Sequence, residues 1–186
     1  NPRLDLRVLR GLSRMRDYRD VTLLRAIIAE FADEGLEVIE QTRVLGHLVT
    51  PQGVLGKQRP GQRLWDDMRY GFARAKQLAA LDIGQTIVVR RQTVLAVEAI
   101  EGTDATIERG CQYGGRGAVV VKVSRPQQDM RFDVPTVGPH TLHQVIAGRA
   151  AVLAVQAGTT LMLRLPELVA LADARRGVLV GVSGAA

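Results

Sequence analysis

Several residue types that would define a class of protein are scarce in this chain. Its 186 residues include a single cysteine, Cys111, so an intrachain disulfide framework and a cysteine-ligated zinc site are both excluded. Aromatic residues make up only 4% of the chain, which argues against binding of single-stranded nucleic acid by base stacking. The apolar runs are far shorter than the roughly 20 residues of a transmembrane helix, so the sequence predicts no membrane-spanning segment.

The familiar motifs of several enzyme classes are absent as well. The sequence has no Walker-type phosphate loop, no G-x-G-x-x-G loop and no G-x-S-x-G nucleophile elbow. Its histidines, His47, His140 and His143, lack the spacing of zinc ligands. A function must therefore be sought outside these motif-defined classes.

Basic residues are in excess, and nearly all of them are arginine. The chain has 25 Lys and Arg against 19 Asp and Glu, and its only lysines are Lys57, Lys76 and Lys122. Arginine favours two-pronged contacts to phosphate or carboxylate. The excess indicates an anionic partner, namely nucleic acid, a phosphorylated metabolite or an anionic membrane surface. A solvated surface with a bias toward arginine explains the same count, and composition leaves both explanations open.

Helical and strand-like patterns alternate along the chain after an arginine-rich start. The patterns predict helices over residues 20–33, 64–81, 103–109, 139–148 and 166–176, with a helical turn over 43–48. They predict strands or extended segments over residues 36–40, 86–89, 93–99, 118–123, 128–134, 151–155, 160–163 and 178–182, and a loop over 53–62. We therefore expect an α/β fold, a mixed sheet with flanking helices, preceded by a helical linker segment. Residues 1–19 are predicted to be this linker, or the remnant of an N-terminal domain, and residues 20–186 the α/β domain.

Residues 128–135 carry the most informative polar pattern. In an extended chain Asp129, Arg131 and Asp133 share one face, because successive side chains alternate. Two neighbouring carboxylates suit a divalent cation, and the guanidinium suits a phosphate oxygen. An exposed edge strand with an internal ion pair is the alternative interpretation.

The residues that follow lead into a predicted helix. Thr136 and Gly138 stand just before Pro139, which favours the first turn of a helix. A helix N-terminus of this kind is a ready anion site. An ordinary capped helix explains the same residues.

A second polar group surrounds the turn after the second predicted hairpin strand. The alternation places Glu98 on the same strand face as Val94 and Ala96, and a carboxylate there is costly unless it is paired, hydrogen-bonded or metal-bound. Glu101, Thr103 and Asp104 form a strand-to-helix turn, a favoured place for ligands in α/β sheets, although either of the last two also suits a plain N-cap. Lys122, alone in a predicted buried strand, needs an anion, either Glu98 or a substrate phosphate.

Taken in order, these segments resemble one family. They are residues 81–85 (LDIGQ), 97–104 (VEAIEGTD), Lys122 with Arg125-Pro126, 128–138 (QDMRFDVPTVG), 155–158 (VQAG) and 171–173 (LAD). From residue 17 to residue 181 the chain resembles the C-terminal domain of the LpxI-type UDP-2,3-diacylglucosamine pyrophosphatases.

The resemblance implies a hydrolase of lipid A biosynthesis that depends on Mg²⁺ or Mn²⁺. Such an enzyme splits UDP-2,3-diacylglucosamine into UMP and 2,3-diacylglucosamine 1-phosphate. Asp133 matches the family's catalytic acidic position in an R-x-D-x-P motif, and Arg131 would neutralise diphosphate charge. The further substrate-binding candidates are Lys122, Thr103, Thr136 and Gly138, and the metal-binding candidates are Asp104, Glu101 and Asp129.

The resemblance also sets expectations about context. Family members carry an N-terminal nucleotide-binding-like α/β domain, which is expected to be missing because the sequence starts where that domain should end. The enzyme would work in the cytoplasm, peripheral to the inner membrane, with no nucleic-acid partner and with a homodimer left open. The alternative of a different class is a non-catalytic basic module that binds nucleic acid or an acidic partner.

Overall fold

The computed structural model describes residues 20–184, which divide into two compact units. Within this described part, the first unit holds residues 20–44 and 129–133, and the second holds residues 45–128 and 134–184. The prediction that residues 1–19 form a linker lies outside the described residues.

The described part of the first unit contains two helices, α1 (Asp20–Asp33) and α2 (Gln41–Val44). As predicted, α1 ends just before Gly35, whose φ of 77° is left-handed and favours glycine. The predicted strand over residues 36–40 is wrong, because this segment joins no sheet among the described residues. Leu36 and Ile39 remain exposed there.

The second unit contains the remaining helices and all strands of the described part. The helices are α3 (Gln62–Ala80), α4 (Gly102–Gly114), α5 (Pro139–Ala147) and α6 (Leu165–Ala174), with a 3₁₀ turn at Gly46–Leu48. The strands are β1 (Gly53–Val54), β2 (Thr86–Arg90), β3 (Thr93–Val97), β4 (Val119–Lys122), β5 (Thr136–Val137), β6 (Val152–Gln156), β7 (Leu161–Met162) and β8 (Val178–Val182).

Six strands form one mixed sheet in the order β1-β8-β6-β4-β2-β3, and β5 pairs with β7 in a separate small sheet. Strands β4, β6 and β8 are parallel, whereas β2 is antiparallel to both β4 and β3. The predicted α/β fold with a mixed sheet is therefore confirmed. Since β4, β6 and β8 run in one direction, their carboxyl ends meet at one edge of the sheet.

Alternate residues of the parallel strands face opposite sides of the sheet. Val120 and Leu153 face a core covered by α4, α5 and α6, whereas Val119 and Val121 face a core covered by α3. All four side chains are fully buried, and each such burial contributes roughly 1.5–3 kcal/mol. Burial on both faces explains why these strands read as continuous apolar runs.

Helix α3 approaches the sheet closely because small residues face it. A Cβ atom at Gly71 would lie 2.8 Å from a methyl carbon of Val121, so only glycine fits there. Ala75 and Ala79 continue this buried stripe. The close contact brings Lys76, which follows Ala75, to the ends of the strands.

Strands β2 and β3 form the predicted hairpin, and a buried carboxylate holds its turn. Arg91 and Gln92 both have left-handed φ angles, 50° and 53°. Such a turn matches the twist of a two-residue hairpin but strains residues other than glycine. Asp67 on α3 is 1% exposed, and it accepts the Arg91 N–H at 2.9 Å and the Gln92 N–H at 2.6 Å.

The register of this hairpin shifts between Val88 and Val89, so β3 carries one extra residue. Such a bulge moves the residues on either side of it to different faces. Val94 is consequently exposed while Ala96 is buried. The prediction that Val94, Ala96 and Glu98 share one face is therefore wrong.

Three other boundaries differ from prediction. The loop over residues 53–62 begins with β1, which pairs with β8, and its last residue already belongs to α3. Helix α4 extends five residues past the predicted end at Arg109, to Gly114. The extended segment over 128–134 is instead a turn, described with the site below.

Candidate active site

A chain of hydrogen bonds crosses the edge of the sheet where β4 ends. The Lys122 ammonium donates to the Thr103 hydroxyl at 2.7 Å, and this hydroxyl donates to Glu98 Oε1 at 2.6 Å. The other carboxylate oxygen of Glu98 accepts the Gln85 N–H at 2.9 Å. We call Lys122, Thr103 and Glu98 the relay. It joins the last residue of β4, the start of α4 and the residue after β3.

The relay holds Glu98 ionised in a half-buried position. Burial opposes ionisation, but the Thr103 hydrogen bond, the Lys122 charge and the Gln85 amide outweigh it, so the pKa of Glu98 is lowered. The fully buried Thr86 hydroxyl also adds to this lowering, although its geometry falls short of a hydrogen bond. Thr86 stands opposite Lys122 in the β2–β4 pair. A polar atom without a hydrogen bond therefore lies beside the relay.

A second polar group lies at the carboxyl ends of β4 and β6. The Lys76 ammonium donates to the Ser124 carbonyl at 2.6 Å and to Gln156 Oε1 at 3.2 Å. The same amide oxygen accepts the Ser124 N–H at 3.1 Å, and the Ser124 hydroxyl donates to Thr159 at 2.9 Å. We call Lys76, Ser124, Gln156 and Thr159 the lysine 76 cluster.

The sequence pattern alone did not predict the lysine 76 cluster. Lys76 and Ser124 are 48 residues apart, and Lys76 and Gln156 are 80 apart, so only the strand order brings them together. The available signal was Lys76 itself, one of three lysines in a chain that otherwise uses arginine.

The residues before α5, predicted as an anion site, form a polar turn. The Thr136 hydroxyl donates to the Val134 carbonyl at 2.9 Å, and Gly138 precedes the helix with no side-chain cap. Near the same helix start, His140 Nε2 lies 3.0 Å from Asp104 Oδ2, in a pair whose two side chains are largely exposed.

Glu101, predicted as a metal ligand, pairs with arginine instead. It accepts a hydrogen bond from Arg109, and its second carboxylate oxygen accepts the Ala99 N–H at 3.2 Å. A bond from its own backbone N–H, followed by the Arg109 contact, lowers the pKa of Glu101. This arrangement ties the turn before α4 to Arg109 within the helix.

The first unit contains the other predicted carboxylates. The Arg131 guanidinium donates two hydrogen bonds to the Asp129 carboxylate, at 2.9 and 2.7 Å, and this contact lowers the pKa of the Asp129 carboxyl. Asp129 also accepts the Arg131 backbone N–H, which closes the turn. Asp133 follows, exposed and with a left-handed φ of 53°. The internal ion pair, the alternative interpretation of this segment, accounts for Asp129 and Arg131.

The three predicted metal ligands are divided between the two units. Glu101 and Asp104 belong to the second unit and Asp129 to the first, and two of the three pair with arginine. Within residues 20–184, no group of three His, Cys, Asp or Glu side chains is arranged to hold a metal ion.

The fold and the relay define an α/β domain with polar groups at the carboxyl ends of its parallel strands, the usual ligand edge of such sheets. Comparison with known proteins identifies it further. Residues 51–180 match the LpxI C-terminal domain, and residues 1–48 match the LpxI N-terminal domain. The chain therefore belongs to the LpxI family. The expectation that the N-terminal domain is missing is wrong, since residues 1–48 match it.

A curated relative gives the family a named activity. The chain is 35% identical over 176 residues to the UDP-2,3-diacylglucosamine pyrophosphatase LpxI of Caulobacter vibrioides. The alignment covers 90% of this chain and 63% of the relative. In the part of the chain that the structure describes, no helix is both long and apolar enough to cross a bilayer.

Proposed function

We propose that this chain hydrolyses the diphosphate of UDP-2,3-diacylglucosamine to UMP and 2,3-diacylglucosamine 1-phosphate, as a step of lipid A biosynthesis. The observation that carries the proposal is the family match over residues 51–180, which contains the whole relay. The comparisons give no support to the alternative of a non-catalytic basic module.

The relay supplies what a diphosphate site needs from a protein. Phosphoryl transfer to water is accelerated mainly by positioning and by positive charge near the phosphate oxygens. In the proposal the Lys122 ammonium donates to such an oxygen, and Thr103 lies beside it as a substrate contact. Glu98, which is ionised, accepts the hydrogen bond of the Thr103 hydroxyl and so positions Thr103, which in turn accepts from Lys122.

The remaining roles follow from the family resemblance. Asp133 is proposed as the catalytic carboxylate that orients the attacking water, and Arg131 as a group that neutralises diphosphate charge. Thr136 and Gly138 are proposed to contact substrate at the start of α5. Dependence on Mg²⁺ or Mn²⁺, with Asp104, Glu101 and Asp129 as ligands, stays a prediction.

Peripheral contact with the cytoplasmic face of the inner membrane is part of the same proposal. Three large apolar side chains, Leu81, Ile83 and Ile100, are exposed on two turns that the Gln85–Glu98 hydrogen bond ties together. Ile100 is fully exposed. These side chains suit contact with lipid, whose acyl chains belong to the proposed substrate. A homodimer stays a prediction.

Release of UMP tests the proposal directly. The purified chain is dialysed against a chelator, mixed with UDP-2,3-diacylglucosamine in detergent micelles, and assayed with and without Mg²⁺ or Mn²⁺. We expect metal-dependent UMP release that falls at least about 100-fold in Asp133→Ala. Asp66→Ala, which removes an exposed carboxylate paired with Arg69, is the matched control and should leave the rate unchanged.

Each part of the proposal has its own contrary result. No UMP release by the unaltered chain with either metal would refute the activity. A normal rate in Asp133→Ala would refute its catalytic role, and a normal rate after chelation would refute metal dependence.

A further inference from the structure

Lys76 is a half-buried cation whose hydrogen-bond acceptors are both neutral. Its ammonium bonds the Ser124 carbonyl and the Gln156 amide oxygen, and the described residues offer it no carboxylate. An ammonium has three N–H donors, so two acceptors leave one donor unused. Burial alone lowers the pKa of Lys76, with no opposing negative charge.

This arrangement is costly if its purpose is only structural. A buried or half-buried charge is unfavourable without a counter-charge. A neutral donor such as glutamine could bond the same two oxygens without that cost. The positive charge is therefore best explained by an anion that joins the cluster.

The surrounding residues hold Lys76 rigidly at the ligand edge of the sheet. Gln156 Oε1 accepts hydrogen bonds from the Ser124 N–H as well as from Lys76. Lys76 reaches this edge from α3, on one face of the sheet, while Lys122 faces Thr103 of α4 on the other. Two of the three lysines of the chain thus lie at the carboxyl ends of the neighbouring strands β4 and β6.

We propose that Lys76 binds a phosphate oxygen of the substrate, as a second anion-binding group in addition to Lys122. The identity of the anion rests on the function proposed above. Lys76 is a substrate-binding residue in this proposal, and Ser124 and Gln156 are positioning residues that aim its ammonium.

Binding of inorganic diphosphate to the full chain, measured by calorimetry, tests this assignment. We expect Lys76→Met to weaken binding at least about 10-fold, and Lys76→Arg to retain most of it because the charge is kept. Arg74→Met is the matched control. Arg74 is an exposed cation on the same helix that stacks over Tyr70, so its loss should change affinity less than about twofold.

Thermal melts of the same variants separate binding from a structural role. A lowered melting temperature in Lys76→Met with unchanged diphosphate affinity would overturn the proposal, because the lysine would then only clamp α3 to the strands. Equal losses in Lys76→Met and Arg74→Met, or no binding by the unaltered chain, would overturn it as well.

Turnover provides a second readout. With UDP-2,3-diacylglucosamine, Lys76→Met should raise KM more than it lowers kcat if the lysine binds the ground state. Absence of UMP release in the unaltered chain, together with Lys76-dependent diphosphate binding, would refute the proposed function while supporting the anion site.

Discussion

Replacing the buried Asp67 with alanine should destabilise the second unit. The carboxylate is 1% exposed and receives both backbone N–H groups of the β2–β3 turn. Hydrogen bonds to a charged group contribute about 1.5–3 kcal/mol each, and water replaces part of them because Arg91 and Gln92 are exposed. We therefore expect Asp67→Ala to lower the free energy of unfolding by about 2–3 kcal/mol.

The strain in the turn makes this expectation sharper. A left-handed backbone costs a residue other than glycine about 1–2 kcal/mol, and two such residues stand in this turn. Adding Gln92→Gly to Asp67→Ala should therefore recover about 1 kcal/mol. Asp67→Asn keeps one acceptor oxygen and should lose about half as much as Asp67→Ala.

Urea unfolding of the full chain measures these differences. A shift of the midpoint at constant slope reports a change in stability alone. Asp66→Ala is the matched control, because Asp66 is an exposed neighbour paired with Arg69 and should cost less than about 0.5 kcal/mol. A loss below about 1 kcal/mol in Asp67→Ala, or no recovery with Gln92→Gly, would refute the argument that Asp67 holds the turn.

Two further predictions concern the relay and the packing of α4. Because the pKa of Glu98 is lowered on folding, its contribution to stability is present above its unfolded pKa of about 4.3 and is lost as the pH falls through the folded value. Glu98→Gln should make the acid limb of the stability profile less steep in thermal melts, and an unchanged limb would contradict this. At Gly110 a Cβ atom would lie 2.4 Å from Val88 Cβ, so Gly110→Ala should cost about 1–3 kcal/mol in urea unfolding. Val88→Ala should relieve part of that cost, and Gly46→Ala, with open space around it, should be nearly neutral; equal effects at the two glycines would argue against the clash.

The central strands could be predicted because nearly all of their residues are apolar. Residues 118–123, 151–155 and 178–182 are apolar runs, as strands buried on both faces must be, and the structure places β4, β6 and β8 there. The same reasoning failed at residues 128–134. There the alternation was real, but Asp129 bonds the backbone of its own turn, and such local bonds compete with strand pairing.

Part of the candidate site could be predicted from the cost of burying a charge. The need of Lys122 for an anion followed from its place in a buried strand, and Glu98 does act on it, through Thr103. The bulge in β3 could not be foreseen from alternation, because it adds a residue without a sequence signal. The lysine 76 cluster depends on which strands are neighbours, and periodicity along the chain carries no information about that order.

The hydroxyl between Lys122 and Glu98 has a consequence for how a ligand enters. Since Thr103 accepts from the ammonium and donates to the carboxylate, its hydroxyl links the two charges. An arriving oxyanion can take over the ammonium as its own donor while Thr103 continues to satisfy Glu98. The exchange replaces one hydrogen-bond acceptor of Lys122. Glu98 keeps its hydrogen bonds from Thr103 and from the Gln85 N–H, so ligand binding to the lysine does not leave the half-buried carboxylate without donors.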